Sequence, residues 1–240
     1  MNDTKLTFER YEKKYLLTPE RYTVLREELD AHITPDRFFE STVCSIYFDT
    51  PDYTLIRRSV EDPVYKEKLR VRSYNVPGAD DAVFVELKKK YKGIVYKRRV
   101  MMTATEAADY LAGRSPAPEE CQMTREIDWF LAAYSPIPKV FIACDRQAYV
   151  AMDNPELRIT FDSNLRWRDT ELDLTAGSHG EPLLDPGTVL MEIKIPGAAP
   201  LWLAHMLSKL EVFPSGFSKY GKCYREHILE KYINGVIFCA

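Results

Sequence analysis

Hydrophobic and charged residues alternate along much of the chain with a period of two. In KEKLRVR, residues 66–72, Leu69 and Val71 separate Lys68, Arg70 and Arg72. Successive side chains of a strand point to opposite faces, so the pattern predicts a strand with one apolar and one cationic face. VFVELKKK sets Val83, Val85 and Leu87 against Glu86, Lys88 and Lys90. IVYKRRV sets Lys97 and Arg99 against Ile94, Tyr96, Arg98 and Val100, with Arg98 the imperfect position. Further on, RQAYV presents Arg146, and LRITFD presents Arg158 and Asp162 against Leu157, Ile159 and Phe161. VLMEIKI presents Glu192 and Lys194 against Val189, Met191, Ile193 and Ile195, and ERYEKKY near the start offers Arg10, Glu12 and Lys14.

The apolar faces need cover, and amphipathic helices are predicted to give it. TPERYTVLREELDAH has Thr18 at an N-cap, Pro19 at the first helical position and Tyr22, Leu25 and Leu29 on one stripe. TATEAADYLAG opens with a capping box from Thr103 to Glu106 and closes at Gly113. Helical runs are also expected at 124–134, 200–211 and 218–233. The stretch 169–187 is rich in acids, Gly and Pro and reads as a long loop with one short extended piece.

Cations two apart on one strand face are about 7 Å from each other and repel by roughly 2 kcal/mol at an effective dielectric near 20. Two arrangements relieve this. One is a single sheet whose cationic face is solvated. The other closes the sheet into a barrel, which removes its edges and turns the charged face inward around a bound polyanion. The fold class expected is therefore α+β: a closed antiparallel β-barrel with a basic lumen, covered by amphipathic helices, with residues 1–240 forming one domain.

Composition narrows the ligand. The chain has 33 basic and 36 acidic residues, a formal net charge of -3, 45% hydrophobic and 29% charged residues. This is ordinary globular composition and not the overall basic surface of a nonspecific nucleic-acid binder, so any cationic site is local and no nucleic-acid partner is expected. Cys44, Cys121, Cys144, Cys223 and Cys239 include no CxxC pair, and no histidine stands at metal-ligand spacing. They read as reduced thiols of a cytoplasmic protein. No stretch approaches the roughly 18 apolar residues of a membrane span, so membrane contact is expected only through a membrane-protein partner.

The ordered series ExK at 12–14, SIYFDT at 45–50, KLRVR at 68–72, ELK at 86–88, YKRR at 96–99, DRQAY at 145–149, RITFD at 158–162, MEIKI at 191–195 and SKYGKCY at 218–224 resembles the triphosphate tunnel metalloenzymes, also called CYTH-like proteins. Within that superfamily it most resembles the VTC domain, the polyphosphate polymerase module of the vacuolar transporter chaperone complex and its bacterial relatives. The resemblance implies a tunnel of about eight strands, with ATP and polyphosphate as ligands and a divalent metal, Mn or Mg, as cofactor. It implies phosphate contacts from Lys14, Arg70, Arg72, Lys88, Lys97, Arg146, Arg158, Lys194 and Lys219, with Ser218 beside the last. Arg99 shares the face of Lys97 and could take its role. Lys88, Arg70, Arg72, Lys194 and Lys219 are the implied catalytic set, and Glu192, with Glu12, the implied metal ligands.

One departure bears on the reaction. Hydrolytic members of the superfamily open with ExExK, whereas this chain has Arg10, Glu12 and Lys14. Replacing a carboxylate with a cation weakens activation of water and extends the phosphate track, which favours an attacking phosphate oxygen. The expected activity is transfer of the terminal phosphate of ATP to a growing polyphosphate chain. A triphosphatase and a noncatalytic polyanion-binding module are the alternatives. The chain is expected to act without the phosphate-sensing domain and membrane helices that accompany the module in the vacuolar complex.

Overall fold

In the computed structural model, which describes residues 10–61, 64–92 and 94–238, the period-two segments are strands; Leu69, Val71, Val83, Val85, Leu87, Val100, Leu157, Ile159, Phe161, Met191 and Ile193 are interior, whereas Tyr96 is exposed. In chain order the strands are β1 (Arg10–Leu17), β2 (Ile33–Asp49), β3 (Tyr65–Tyr74), β4 (Ala82–Tyr91), β5 (Ile94–Thr103), β6 (Ile137–Ala151), β7 (Arg158–Arg168), β8 (Glu181–Pro182) and β9 (Val189–Pro196). The helices are α1 (Pro19–Leu29), α2 (Thr54–Glu61), α3 (Ala104–Leu111), α4 (Gln122–Tyr134), α5 (Leu201–Lys209), α6 (Lys219–Cys223) and α7 (Leu229–Phe238), with a π-helical turn over Tyr224–Ile228 between the last two. The strands follow the order β1-β9-β7-β6-β2-β3-β4-β5, and β8 pairs with β7.

The described residues fall into two compact units. The first takes the chain up to Ser41, Cys144–Leu165 and Leu184–Phe217; the second takes Thr42–Ala143, Arg166–Leu183 and the chain from Ser218 onward. In the first unit β1 and β7 flank β9, both antiparallel to it. Leu25 and Leu29 of α1 and Leu203 and Met206 of α5 close over Ile159, Phe161, Met191 and Ile193. Helix α1 starts where its sequence directs, with the Thr18 hydroxyl accepting from the Arg21 N–H at 3.4 Å and Pro19 at the first position.

In the second unit β2, β3, β4 and β5 form consecutive antiparallel pairs. Leu69, Val71, Val83, Val85, Leu87, Val100 and Met102 share a core with Ala107, Tyr110 and Leu111 of α3 and Ile127 and Phe130 of α4. The capping box of α3 is formed in both directions: the Glu106 N–H donates to the Thr103 hydroxyl at 3.1 Å, and the Thr103 N–H donates to the Glu106 carboxylate at 2.8 Å. Gly113 follows at φ +71, the left-handed conformation that a glycine adopts without strain.

The expectation of a closed barrel is corrected. Among the described residues the strand path ends at β1 on one side and β5 on the other, and the sheet is not closed. The reason is that alternation sets which face each side chain takes and carries no information on whether the two terminal strands meet. Strand β5 instead bears Lys97, Arg98 and Arg99, and charge of this kind discourages further pairing at an edge. The long 169–187 segment contains a single 3-10 turn, Leu174–Ala176, and the two-residue strand β8 as its extended piece. Cys44, Cys121, Cys144 and Cys223 are free thiols, and Cys239 lies outside the described residues.

Leu87 has no exposed surface and packs between strands and helices. Leu87→Ala is expected to lower unfolding free energy by about 2–5 kcal/mol in urea titration; a loss under about 1 kcal/mol would contradict this placement of the core.

Candidate phosphate-binding site

The cationic face of the second unit is organised by one carboxylate. Glu86 on β4 is 1% exposed and lies opposite Arg70 on β3 and Arg99 on β5. Its Oε2 receives Arg70 Nε at 2.8 Å and Nη2 at 2.6 Å. Its Oε1 lies 2.6 Å from Lys97 Nζ and 3.0 Å from Arg99 Nε, the latter an ion pair outside hydrogen-bond geometry. Burial alone would raise the Glu86 carboxyl, but Arg70, Arg72 and Lys97 outweigh it and hold the group down at about 2. Burial lowers the Lys97 ammonium, and Glu86 opposes that shift only in part. Three cations meet one carboxylate, so the cluster keeps net positive charge.

The neighbouring positions continue this face. Arg72 is nearly buried and donates from Nε to the Ser45 hydroxyl at 3.1 Å. Lys88 lies opposite Lys68 on one side and Lys97 on the other. The Lys68 ammonium donates to the Ser218 hydroxyl at 2.9 Å, and the same oxygen caps α6 by accepting from the Gly221 N–H at 3.2 Å. Lys219 is the first residue of α6. The second unit thus gathers Arg70, Arg72, Lys88, Lys97, Arg99, Ser218 and Lys219.

The first unit holds the remaining sequence candidates. On β1 and β9, Lys14 lies opposite Glu192 and Glu12 opposite Lys194. The Lys14 ammonium stands 3.4 Å from both Glu12 and Glu192. Arg146 on β6 binds Asp162 on β7 through two bonds of 2.6 and 2.7 Å, and its Nη2 lies 3.7 Å from Glu192. Burial works against the Arg146 charge, yet the Asp162 carboxylate raises the guanidinium well above its ordinary value. Burial lowers the Lys194 ammonium, against the pull of Glu192. Arg158, opposite Lys194 on β7, is about half exposed and is paired with Asp36. The Arg10 side chain lies outside the described residues.

For a divalent ion the protein offers two carboxylates, Glu12 and Glu192, converging on one lysine. No group of three or more His, Cys, Asp or Glu placed to hold a metal occurs among the described residues. The fit is to an ion held by one or two carboxylates and completed by substrate phosphate oxygens, the usual manner for magnesium, rather than to an all-protein cage.

Several partners escaped the sequence reading. Asp36 has no local signal, because it meets Arg158 across 122 residues of chain. Lys68 was visible in the alternation, but its bond to Ser218 spans 150 residues. Helix α2 was missed because its first turn is capped by Asp49 and Thr50, well upstream of its first residue.

The order of these motifs, the antiparallel sheet that carries them and the paired cations together define a protein whose strand faces carry clustered cations. The family model of the VTC domain matches residues 9–227, and the chain belongs to that family. No curated protein matches it in sequence. Among solved structures it is similar to a candidate adenylate cyclase from Bacillus halodurans, with TM-score 0.56, 14% identity and coverage of 90% of this chain and 96% of that one. It is also similar to a candidate adenylyl cyclase from Hippeastrum with dominant triphosphatase activity, at TM-score 0.51, 16% identity and coverage of 89% and 94%. At these identities the likeness is one of fold. No helix among the described residues is long and apolar enough to cross a membrane.

Because the Glu86 carboxyl falls from an ordinary 4.5 to about 2 on folding, its charge stabilises the fold above pH 4.5, and that contribution is lost as pH drops toward 2. Glu86→Gln is expected to cost on the order of 3 kcal/mol at pH 7, with the gap from the parent narrowing between about pH 4.5 and 2. Urea unfolding across this range checks it, and a gap independent of pH would refute the assignment.

Proposed function

We propose that this protein is a polyphosphate polymerase, the whole chain acting as one functional domain that transfers the terminal phosphate of ATP to the end of a polyphosphate chain. The observation that carries the reading is the cluster in which Arg70, Lys97 and Arg99 share the single buried carboxylate of Glu86. Three fixed cations against one anion leave an excess that a triphosphate satisfies. Family membership supports the same choice of ligand.

Phosphoryl transfer requires positioning and charge stabilisation more than covalent help from the protein. Arginine supplies planar two-point contact with phosphate oxygens and lysine a compact charge. In the second unit Arg70, Arg72, Lys88, Lys97, Arg99 and Lys219 are the proposed phosphate contacts; in the first unit, taken by itself, Lys14, Arg158 and Lys194 are. Arg146 serves chiefly through its bond to Asp162, which keeps Glu192 flanked by positive charge. Glu12 and Glu192 would hold a manganese or magnesium ion, which when bound neutralises charge on phosphate oxygens. A terminal oxygen of polyphosphate attacks the γ-phosphorus, a new P–O bond forms, and the bond to the β–γ bridging oxygen breaks. ADP leaves with the electron pair of that bond.

The same cations would bind the substrate of a triphosphatase, and one observation favours that second reading: Lys14 is bracketed by two carboxylates, an acid pair able to orient a water. The replacement of the first ExExK carboxylate by Arg10 weighs against it. The proposed reaction draws on cytoplasmic ATP, and export of the product would fall to a membrane-protein partner.

Incubation with manganese and ATP labelled at the γ-phosphate, resolved by chain length, tests the reading. A ladder of long labelled chains that disappears in Lys88→Ala is expected. Labelled orthophosphate alone would assign the protein to the hydrolases, and absence of turnover with metal-independent binding would make it a polyanion-binding module. Glu192→Gln is expected to slow turnover on the order of 100-fold at saturating manganese, and an unchanged rate would remove Glu192 from the metal site.

A further inference from the structure

Asp49, at the end of β2, has no exposed surface. Its carboxylate accepts five hydrogen bonds, all from the second unit, one of them from the adjacent Thr50 hydroxyl to Oδ1 at 3.3 Å. Oδ1 receives the N–H groups of Thr50 at 2.8 Å and Leu55 at 2.9 Å, and Oδ2 receives the N–H of Ile56 at 3.0 Å and the hydroxyl of Tyr220 at 2.9 Å. The Leu55 and Ile56 donors account for the helix start: they are N–H groups that the first turn of α2 leaves without partners inside the helix. The Tyr220 hydroxyl comes from 171 residues away and does nothing for α2. A phenylalanine ring would fill the same space, so the hydroxyl is used to locate Tyr220 itself.

Tyr220 is the second residue of α6 and directly follows Lys219. Helix α6 is the opening of a helical run that continues through the π-helical turn into α7, and the N–H groups of its first turn have no partners within the run. Its start is fixed from outside at two points. Ser218 is held by Lys68, and Tyr220 is held by Asp49. Lys219 lies between these two anchors in the chain.

The tyrosine also reaches the cationic face. Its ring stacks on Tyr47, with centroids 5.0 Å apart and planes 26° from parallel. The Tyr47 hydroxyl accepts from Arg70 Nη1 at 3.2 Å, and Arg70 grips Glu86 with its other nitrogens. Burial and then Asp49 push the Tyr220 phenol well above its ordinary value, so it remains a hydrogen-bond donor. Tyr47 moves the other way: burial would raise it, but the charges of Arg70, Arg72 and Lys219 prevail. The Lys219 charge is therefore felt at the Tyr47 ring.

We propose that Asp49 and Tyr220 are positioning residues that fix Lys219 directly, and Arg70 through Tyr47, in the arrangement that grips phosphate. The proposal rests on the reading that Arg70 and Lys219 bind phosphate. A hydroxyl and a carboxylate that touch no ligand then set part of the affinity for it.

The test is calorimetric titration of the full chain with tripolyphosphate in metal-free buffer, with thermal melting of each free protein alongside. The variants are Lys219→Ala, Tyr220→Phe, Asp49→Asn and the Lys219→Ala/Tyr220→Phe pair. Lys219→Ala is expected to weaken binding about tenfold, the loss of one charged contact. Tyr220→Phe is expected to weaken it by about three- to tenfold, and the double variant by clearly less than the product of the two single losses, because part of the Tyr220 effect acts through the Lys219 ammonium. Asp49→Asn should resemble Tyr220→Phe if it folds, and Tyr220→Phe, which keeps the ring, decides the matter if it does not. A Tyr220→Phe protein that melts lower yet binds with parental affinity would overturn the positioning role, as would losses that multiply in the double variant. Failure of the parent protein to bind tripolyphosphate would instead bring down the phosphate reading, and this proposal with it.

Discussion

The buried carboxylate of Glu86 is the interaction on which the cationic face depends. Strand geometry places Arg70, Lys97 and Arg99 around it, and without that anion three like charges would face one another across adjacent strands. Removing one partner of a buried ion pair commonly costs several kcal/mol, because the charges left behind are uncompensated. The carboxylate therefore lets the fold tolerate a high density of cations without cancelling it. Lys97 and Lys194, whose ammonium groups burial lowers, each lie beside a glutamate. Each is stabilised by its neighbour short of full satisfaction, and an arriving phosphate would complete the balance.

The two units manage their charges differently. In the second, one acid serves three cations. In the first, acids and bases are close to matched: Arg146 is committed to Asp162, Lys14 is shared by Glu12 and Glu192, and Arg158 is paired with Asp36. That balance is what a site for a cation and an anion together requires, since a divalent ion brings positive charge of its own. It is also why the first unit provides the metal candidates and the second the larger positive excess.

Much of the architecture was legible from residue spacing. The faces of β3, β4, β7 and β9 followed from alternation, because a period of two leaves no freedom over which side chains are interior. The starts of α1 and α3 followed from Thr18 and from the Thr103 to Glu106 box, because those side chains satisfy backbone donors next to them in sequence. Helix α2 was not legible, because its cap sits several residues upstream and is shared with Tyr220. The separation of β1 from β5 in the sheet was hidden as well, since each strand's pattern is indifferent to its distant neighbours. The same limit applied to the site. The charges of Arg158 and Lys68 were visible, but the partners that fix their roles, Asp36 and Ser218, meet them only in the folded chain.

The most direct measurement of the central claim is thermal melting of the purified protein against increasing tripolyphosphate, at low and at high salt. A face of incompletely neutralised cations predicts a melting temperature that climbs with ligand concentration, by mass action on the folded state, and a climb that shrinks as salt screens the charges. A melting temperature indifferent to tripolyphosphate at low salt would contradict the claim that these strands are built to hold phosphate.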